Sequence, residues 1–306
     1  MGYSIEDIRR EVNAAMQSGE YPVASLEMFD IVDNLRLSTK VHDHLSYTHE
    51  LLMEHLEEIN KLDGQVPSLT NYLNTLKAGD VIDNQSLEKE NSFLVGLYMQ
   101  ISRETAIDKL INLYKNSEGM TPEELKSIAL TLVTGTSSEK KQIIRDCNDK
   151  YVGRFVNGER KIDYFPMDYQ CVDTALDKLS EFYNRRIETD TYDNVLIQPF
   201  VLHGLIGALQ VFGDGNTRIG RLLQHSLIWQ LINEKTEYNF DNPPLYATRA
   251  YYPMRCEYRD LIANLVKENN EEAWNQWVEF NLKRIEDQIY KNGENIIELK
   301  RRRKSI

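Results

Sequence analysis

The sequence predicts a mostly α-helical protein, and three observations support that prediction. Glycine and proline, the residues that most often interrupt helices, make up only 23 of the 306 residues, whereas their average combined usage is roughly 12%. Apolar residues make up 41% of the chain, which is enough to build a core and too much for a disordered protein. In several segments these residues recur at the i, i+3, i+4, i+7 spacing of an amphipathic helix.

The charge balance and the cysteines narrow the class of protein. The chain carries 36 basic and 48 acidic residues, and its net charge of −12 argues against a nucleic-acid surface, which needs excess lysine and arginine. Three widely spaced cysteines, Cys147, Cys171 and Cys256, predict no disulfide framework. The charged start of the chain lacks the apolar core of a signal peptide, and residues 195–212 are too short and too interrupted to span a bilayer. We therefore expect a cytoplasmic protein that makes no membrane contact.

The beginning of the chain is predicted to form an N-terminal helical region. Apolar residues between Leu45 and Leu62 fall on one broad helical stripe. Residues 77–84, KAGDVIDN, have the composition of a loop that separates this region from the rest. The predicted division of the chain is an N-terminal region 1–80, a main domain 81–285, and a C-terminal helix end with a basic tail 286–306.

Within the main domain, capping signals and apolar spacing predict further helices. Thr121 is a predicted N-cap, Pro122 suits the first helical position, and Glu124 completes a capping box. The apolar residues that follow this box recur at helical spacing, as do those between Val172 and Tyr183.

One segment of the main domain has the signals of strands rather than of a helix. Residues 151–165 read YVGRFVNGERKIDYF, with β-prone runs on both sides of Asn157-Gly158. An Asn-Gly pair tolerates positive φ at both central positions, so it predicts a two-residue hairpin turn. The hairpin is either a surface excursion or an exposed edge that accepts an extended peptide as an added strand.

The segment that says most about function is QVFGDGNTRIGR, residues 210–221. A buried helix is predicted to end near Leu209, and a second helix begins after the loop with Asn216 as its candidate N-cap. Gly213 and Gly215 allow the loop to turn sharply and to approach a ligand closely. The unpaired N–H groups and the positive dipole end of the second helix then form an anion site.

Three charged side chains add to this anion site. Arg218 and Arg221 are three residues apart on the second helix, so both can point toward phosphate oxygens. Asp214 can hold Mg²⁺, whose preference for oxygen ligands suits a carboxylate together with phosphates. The alternative is a helix–loop–helix corner in which the glycines serve packing and the arginines are solvated.

This segment resembles the Fic (filamentation induced by cAMP) domain family, whose motif is H-x-F-x-[D/E]-G-N-x-R-x-x-R. The matching positions are Phe212, Asp214, Gly215, Asn216, Arg218 and Arg221. The resemblance implies a Fic-type helical bundle in which the hairpin is a flap that positions the target. The flap residues that it implies are Val152, Gly153, Arg154, Phe155, Val156, Asn157 and Gly158.

Members of this family usually transfer AMP from ATP to a Ser, Thr or Tyr hydroxyl of a target protein. The resemblance therefore implies ATP and Mg²⁺ as ligands and a protein as the substrate. It implies that Asp214 binds Mg²⁺ and that Arg218 and Arg221 hold the nucleotide phosphates. The remaining nucleotide-binding residues that it implies are Phe212, Gly215, Asn216 and Thr217.

Gln210 stands where the family has its catalytic histidine. That histidine accepts the proton of the target hydroxyl, and imidazole suits the task because its pKa lies near neutrality. A carboxamide has no usable basicity at pH 7, and the loss of a general base typically costs ~10²–10⁴-fold in rate. Three explanations stay open: a natural pseudoenzyme, an enzyme with altered chemistry, and an introduced substitution.

Residues 86–91, SLEKEN, resemble the inhibitory helix of Fic proteins, whose pattern is [S/T]-x-x-x-E-[G/N]. The matching residues are Ser86, Glu90 and Asn91. The resemblance implies that Glu90 pairs with Arg221, the group meant for the γ-phosphate, so that ATP binds unproductively. The alternative is a solvated, charged helix start.

The leading hypothesis is therefore an AMP-transferase that is autoinhibited, is impaired by Gln210, and modifies a hydroxyl of a protein. The alternative is a catalytically silent nucleotide-binding or regulatory pseudoenzyme. A transferase of another phosphate-containing group would use the same residues. The sequence leaves open whether the chain forms a homo-oligomer.

Overall fold

A computed structural model describes residues 4–61, 93–134, 143–156, 158–186 and 194–303. Over these residues the chain forms eleven α-helices and one two-stranded antiparallel sheet, so the prediction of a mostly α-helical fold is confirmed. The helices are α1 (Ile5–Ser18), α2 (Glu27–Asp33), α3 (Thr39–Asn60), α4 (Phe93–Lys115), α5 (Pro122–Val133), α6 (Val172–Asn184), α7 (Ile197–Leu209), α8 (Asn216–Lys235), α9 (Thr248–Tyr251), α10 (Arg255–Glu268) and α11 (Glu271–Arg303); the strands are β1 (Val152–Val156) and β2 (Glu159–Tyr164).

Several helices begin at side-chain caps that the sequence encodes. Thr121 accepts a hydrogen bond from the backbone N–H of Glu124 at 3.1 Å, and α5 begins at Pro122 as predicted. Ser4 forms a complete capping box with Asp7 at the start of α1. Each cap satisfies N–H groups that the first turn of a helix leaves without an intrahelical partner.

Helix α7 lies at the centre of the core, with α6, α8, α10 and α11 packed around it. All of its residues are buried, which confirms the predicted buried helix. Gly204 permits the close approach of α11, because a Cβ atom there would lie 2.7 Å from the Trp274 ring and 2.8 Å from that of Trp277. The core therefore fixes the end of α7, from which the segment 210–215 continues.

The N-terminal helix α3 packs side by side with the C-terminal helix α11. Thr48 donates to the carboxylate of Glu286, and Lys40 pairs with Glu279 at 2.8 Å. Residues 286–306 were predicted to be the end of a helix followed by a basic tail. In the structure α11 continues to Arg303, so most of these residues are helical. The domain boundaries near residues 80 and 285 stay a prediction.

The β1–β2 hairpin confirms the strand prediction. Val156 pairs with Glu159, so two residues connect the strands, and Gly158 has a φ of +85°. Asn157 lies outside the described residues. No helix in the described parts of the chain is long and apolar enough to cross a membrane.

Candidate active site

The loop between α7 and α8 turns at two residues with left-handed backbone angles. Gln210 ends α7 with φ 54° and ψ 46°, and Gly215 precedes α8 with φ 78° and ψ 8°. Between them Val211 and Phe212 are buried, so the loop is anchored in the core on one side. The backbone then enters α8 at Asn216.

A neighbouring segment pairs with this loop through backbone hydrogen bonds. The N–H of Gly213 donates to the carbonyl of Ile143 at 2.8 Å, and the N–H of Arg145 donates to the carbonyl of Val211 at 3.4 Å. The ammonium group of Lys150 also donates to the carbonyl of Gly213. The residues that precede β1 therefore support the loop directly.

The prediction that Asn216 is the N-cap of α8 is wrong. The cap position is Gly215, and Asn216 is the first helical residue. Its Oδ1 accepts from the N–H of Phe212 at 3.0 Å, and its Nδ2 donates to the carbonyl of Phe212 at 2.9 Å. With Gly215 as the cap, the helix starts one residue earlier than the sequence suggested, and the Asn216 amide stabilises the loop instead of the helix end.

Gly215, at the cap position of α8, has no side chain that could accept a hydrogen bond from the N–H groups of the first turn. The first N–H groups of a helix have no intrahelical partners, and they carry the positive end of the helix dipole. This end of α8 follows a glycine-rich turn and can therefore accept an anion.

Asp214 and Arg218 lie at this end of α8. One Asp214 oxygen accepts from the N–H of Gly215 at 2.6 Å and lies 3.9 Å from the Arg218 guanidinium. The Asp214 side chain is 35% exposed, whereas that of Arg218 is 7% exposed and donates to the carbonyl of Leu132. The Asp214 side chain is therefore partly exposed at the start of α8, whereas the Arg218 side chain is buried behind it.

Arg221, three residues after Arg218 on α8, is buried as well. Burial first, and then the positive charge of Arg221, lower the pKa of His203 well below its usual value. His203 Nδ1 donates to Gln224 at 2.5 Å, so the neutral ring accepts at Nε2 from the Tyr258 hydroxyl at 2.7 Å. This polar network joins α7, α8 and α10 beneath the site.

The comparison with protein families identifies the region that contains this loop. Residues 119–228 match the Fic/DOC family. The matched Fic/DOC region runs from just before α5 into α8 and includes the hairpin and the whole motif. The resemblance drawn from the sequence is thereby confirmed. No curated protein is similar enough in sequence to match.

Two solved structures share the fold of the chain. One is a Fic family protein from Desulfovibrio desulfuricans G20, with a TM-score of 0.54 and 15% identity over 80% of this chain and 74% of that one. The other is a fragment of Fic-1 from C. elegans, with a TM-score of 0.54 and 15% identity over 84% and 73% of the two chains. At these identities the likeness shows the fold alone, and it extends beyond the Fic/DOC region.

Gln210, which the sequence resemblance places at the position of the family histidine, uses both ends of its carboxamide inside the Fic/DOC region. Nε2 donates to the carbonyl of Gly207 at 2.6 Å, and Oε1 accepts from Asn216 at 3.0 Å. Its backbone carbonyl accepts from the buried Arg145 at 3.4 Å. Gln210 is therefore a structural member of the loop in this conformation.

The hairpin of the Fic/DOC region is tied to α10. Arg154 on β1 pairs with Asp260 at 2.5 Å and with Asp163 at 3.5 Å, and Arg259 donates to the carbonyl of Gly153 at 3.3 Å. Of the predicted flap residues, Asn157 and the side chain of Phe155 lie outside the described part of the chain. The role of the hairpin in positioning a target stays a prediction.

The predicted inhibitory residues Ser86, Glu90 and Asn91 also lie outside the described residues, so the pairing of Glu90 with Arg221 stays a prediction. The phosphate roles of Phe212, Thr217, Arg218 and Arg221 stay predictions as well.

Sequence reasoning missed Arg145 and Lys150. Both reach the loop from about 65 positions earlier in the chain. Neither belongs to a local pattern that could have indicated this contact.

Proposed function

We propose that the chain binds ATP and Mg²⁺ at the N-terminal end of α8 and transfers AMP to a hydroxyl of a protein target, slowly because of Gln210. The observation that supports this proposal most is the start of α8 at the left-handed Gly215, a cap residue without a side chain to bond the N–H groups of the first turn. A helix end of this kind binds phosphate oxygens through backbone N–H groups and through its dipole. The match of residues 119–228 to the Fic/DOC family supports the same reaction class.

The side chains around the loop suit the charges of a nucleotide. Arg218 would hold phosphate oxygens by its guanidinium fork, and Arg221 would bind the phosphate farthest from the nucleoside. Asp214 would hold Mg²⁺, since this ion commonly takes one carboxylate and completes its shell with phosphates and water. Bound Mg²⁺ would neutralise phosphate charge.

The proposed transfer moves one phosphorus atom between two oxygens. The hydroxyl oxygen of the target forms a bond to the α-phosphorus, the bond from that phosphorus to the bridging oxygen breaks, and pyrophosphate leaves. The hydroxyl proton needs an acceptor, and the neutral Gln210 carboxamide is not basic enough to be one. The proton would then pass to water or to the phosphates, with a rate cost of about 10²–10⁴-fold.

A catalytically silent nucleotide-binding protein is the second candidate. The engagement of both Gln210 polar atoms favours it, since each is already hydrogen-bonded to a group of the protein in this conformation. Transfer of another phosphate-containing group would use the same residues. In each case we propose that Glu90 restrains the site by pairing with Arg221, and that the protein acts in the cytoplasm.

The decisive experiment measures the transfer of label from ATP. The full chain and its Gln210→His variant, each in a Glu90→Gly background, are incubated with Mg²⁺ and ATP labelled on the α-phosphate, with γ-labelled ATP in parallel. Label from the α-phosphate on the histidine variant, at a rate about 10²–10⁴ above that of the unchanged Gln210 chain, supports AMP transfer. Label from the γ-phosphate alone would identify a phosphotransferase.

The outcome without transfer separates the candidates. If neither chain labels itself or a proteome extract while both bind ATP, the silent protein is supported and the transferase proposal is overturned. If neither chain binds ATP, both candidates fail.

A further inference from the structure

A groove of about 350 Å³ runs between α3 and α11, away from the motif loop. Its lining residues are Leu51, Glu54, His55, Glu58, Ile289, Tyr290, Gly293, Glu294, Ile296 and Ile297. Tyr290 is 55% exposed and Ile297 is 52% exposed, which is unusual for large apolar side chains on the same helix face. Nothing in the described part of the chain covers them.

Gly293 lies within this groove in the interior of α11. A glycine inside a helix costs roughly 1 kcal/mol relative to alanine, so such a position usually has a packing reason. Here a Cβ atom would meet no heavy atom within 4 Å, so among the described residues no neighbour explains why this position is a glycine. The bare backbone at Gly293 leaves room for something outside the chain to approach closely.

The acidic residues around the groove are opposite in charge to a basic run at the end of α11. Glu54, Glu58 and Glu294 give the groove an acidic rim. Residues 300–304, KRRRK, are all basic, and α11 remains helical up to Arg303. The basic run starts seven residues after Gly293, which is about 10 Å along a helix.

We propose that the groove binds a second copy of this chain through antiparallel packing of α11 on α11. Gly293 and Ile297 are four residues apart and therefore lie on one face. A two-fold axis between them would place Ile297 of each copy on Gly293 of the other, and a symmetric dimer makes this contact twice. The same axis carries the basic run of each copy toward the Glu54 end of the other groove. This inference is independent of the proposed function.

The first test places a side chain in the bare part of the groove. Gly293→Arg is expected to fold, because its Cβ enters open space, and to raise the dissociation constant of the dimer at least about tenfold. Asn295→Arg is the matched control, since it adds the same side chain to an exposed position of α11 outside the groove lining. Sedimentation velocity of the full chain over a micromolar concentration series measures both constants, and thermal melts confirm folding.

The second test exchanges the charges. Reversal of Glu54, Glu58 and Glu294 to lysine should weaken the dimer, and so should reversal of Lys300, Arg301 and Arg303 to glutamate. The chain that carries both reversals should regain the dimer, which a merely unfolded or misfolded variant could not do. Added salt should weaken the unchanged dimer.

A chain that stays monomeric at every concentration would overturn the proposal, and would leave the groove to another occupant such as residues 62–92 of the same chain. A dimer that tolerates Gly293→Arg as well as Asn295→Arg would also overturn it, because the interface would then lie elsewhere.

Discussion

The side chain of Asn216 donates from Nδ2 to Oε1 of Gln210 over 3.0 Å, which joins the first residue of the motif to the first residue of α8. The same amide also bonds both backbone groups of Phe212. Asn216 thereby holds the loop closed across its full length, and this gives it a structural reason to be present that is separate from any contact with a ligand.

Replacement of Asn216 by alanine is expected to destabilise the fold. It removes three hydrogen bonds and leaves the buried N–H of Phe212 unpaired, so we expect a loss of about 2–4 kcal/mol in the free energy of unfolding. Asn216→Asp keeps the acceptor for Phe212 and should lose less. Urea unfolding of the three chains measures the difference; equal stability of the alanine variant would contradict the role assigned to this amide.

Two arginines, one buried and one partly exposed, test whether burial determines how much a polar contact contributes to the free energy of unfolding. Arg145 is buried and donates to the carbonyl of Met167 at 2.8 Å and to Asn148 at 3.2 Å, and burial lowers its pKa. Arg145→Met should cost about 2–4 kcal/mol, because it removes a charged donor from the carbonyl of Met167 and from the buried Asn148. Arg154→Met, which removes partly exposed ion pairs with Asp163 and Asp260, should cost less than about 1 kcal/mol. Chemical denaturation of both variants gives the comparison, and similar losses would disagree with it.

Arg221→Ala should weaken the binding of ATP with Mg²⁺. A charge-assisted hydrogen bond contributes about 1.5–3 kcal/mol, so the dissociation constant should rise roughly 10- to 100-fold. Arg186→Ala is the control, since Arg186 pairs with Glu234 near the far end of α8. Titration calorimetry on variants shown by melting to be folded measures the effect. An unchanged affinity for Arg221→Ala would remove the phosphate role assigned to this residue.

Stability should fall as the pH drops through the range from 6.5 to 4. Burial lowers the pKa of His55 from 6.5 to about 4, so the unfolded chain binds the proton first as the pH falls. The shift corresponds to at most about 3 kcal/mol, lost progressively below pH 6.5. Burial also lowers the pKa of His203, which acts in the same direction. His55→Gln should reduce the fall in melting temperature between pH 7 and 4. If the melting temperatures of the two chains fall in parallel, His55 does not cause the loss of stability.

Local signals predicted the parts of the fold that depend on neighbouring residues. Thr121 and Pro122 predicted the start of α5, and Asn157-Gly158 predicted the hairpin. Both predictions were possible because capping and turn preferences act within a few residues. The start of α8 was misplaced by one residue. The sequence Gly215-Asn216 is compatible with either residue as the N-cap, and it does not show that the Asn216 side chain bonds to the preceding Phe212.

Contacts between distant segments could not be read in this way. Arg145 reaches Gln210, and Arg103 reaches Thr248, across 65 and 145 positions of the chain. Nothing near either arginine indicates whether its side chain is solvated or buried, because that depends on which helices pack together. The groove between α3 and α11 could not be predicted from the sequence for the same reason.

The complete burial of α7 has a practical consequence for measurement. The loop that ends this helix rests on a segment with no exposed residue, and it continues into α8, most of which is also buried. The loop therefore has little freedom to open without unfolding of the whole domain. A ligand that binds there adds its binding free energy to the global transition, in proportion to the logarithm of its concentration. A shift in melting temperature with nucleotide concentration would thus report occupancy of the site, even for a chain that transfers nothing.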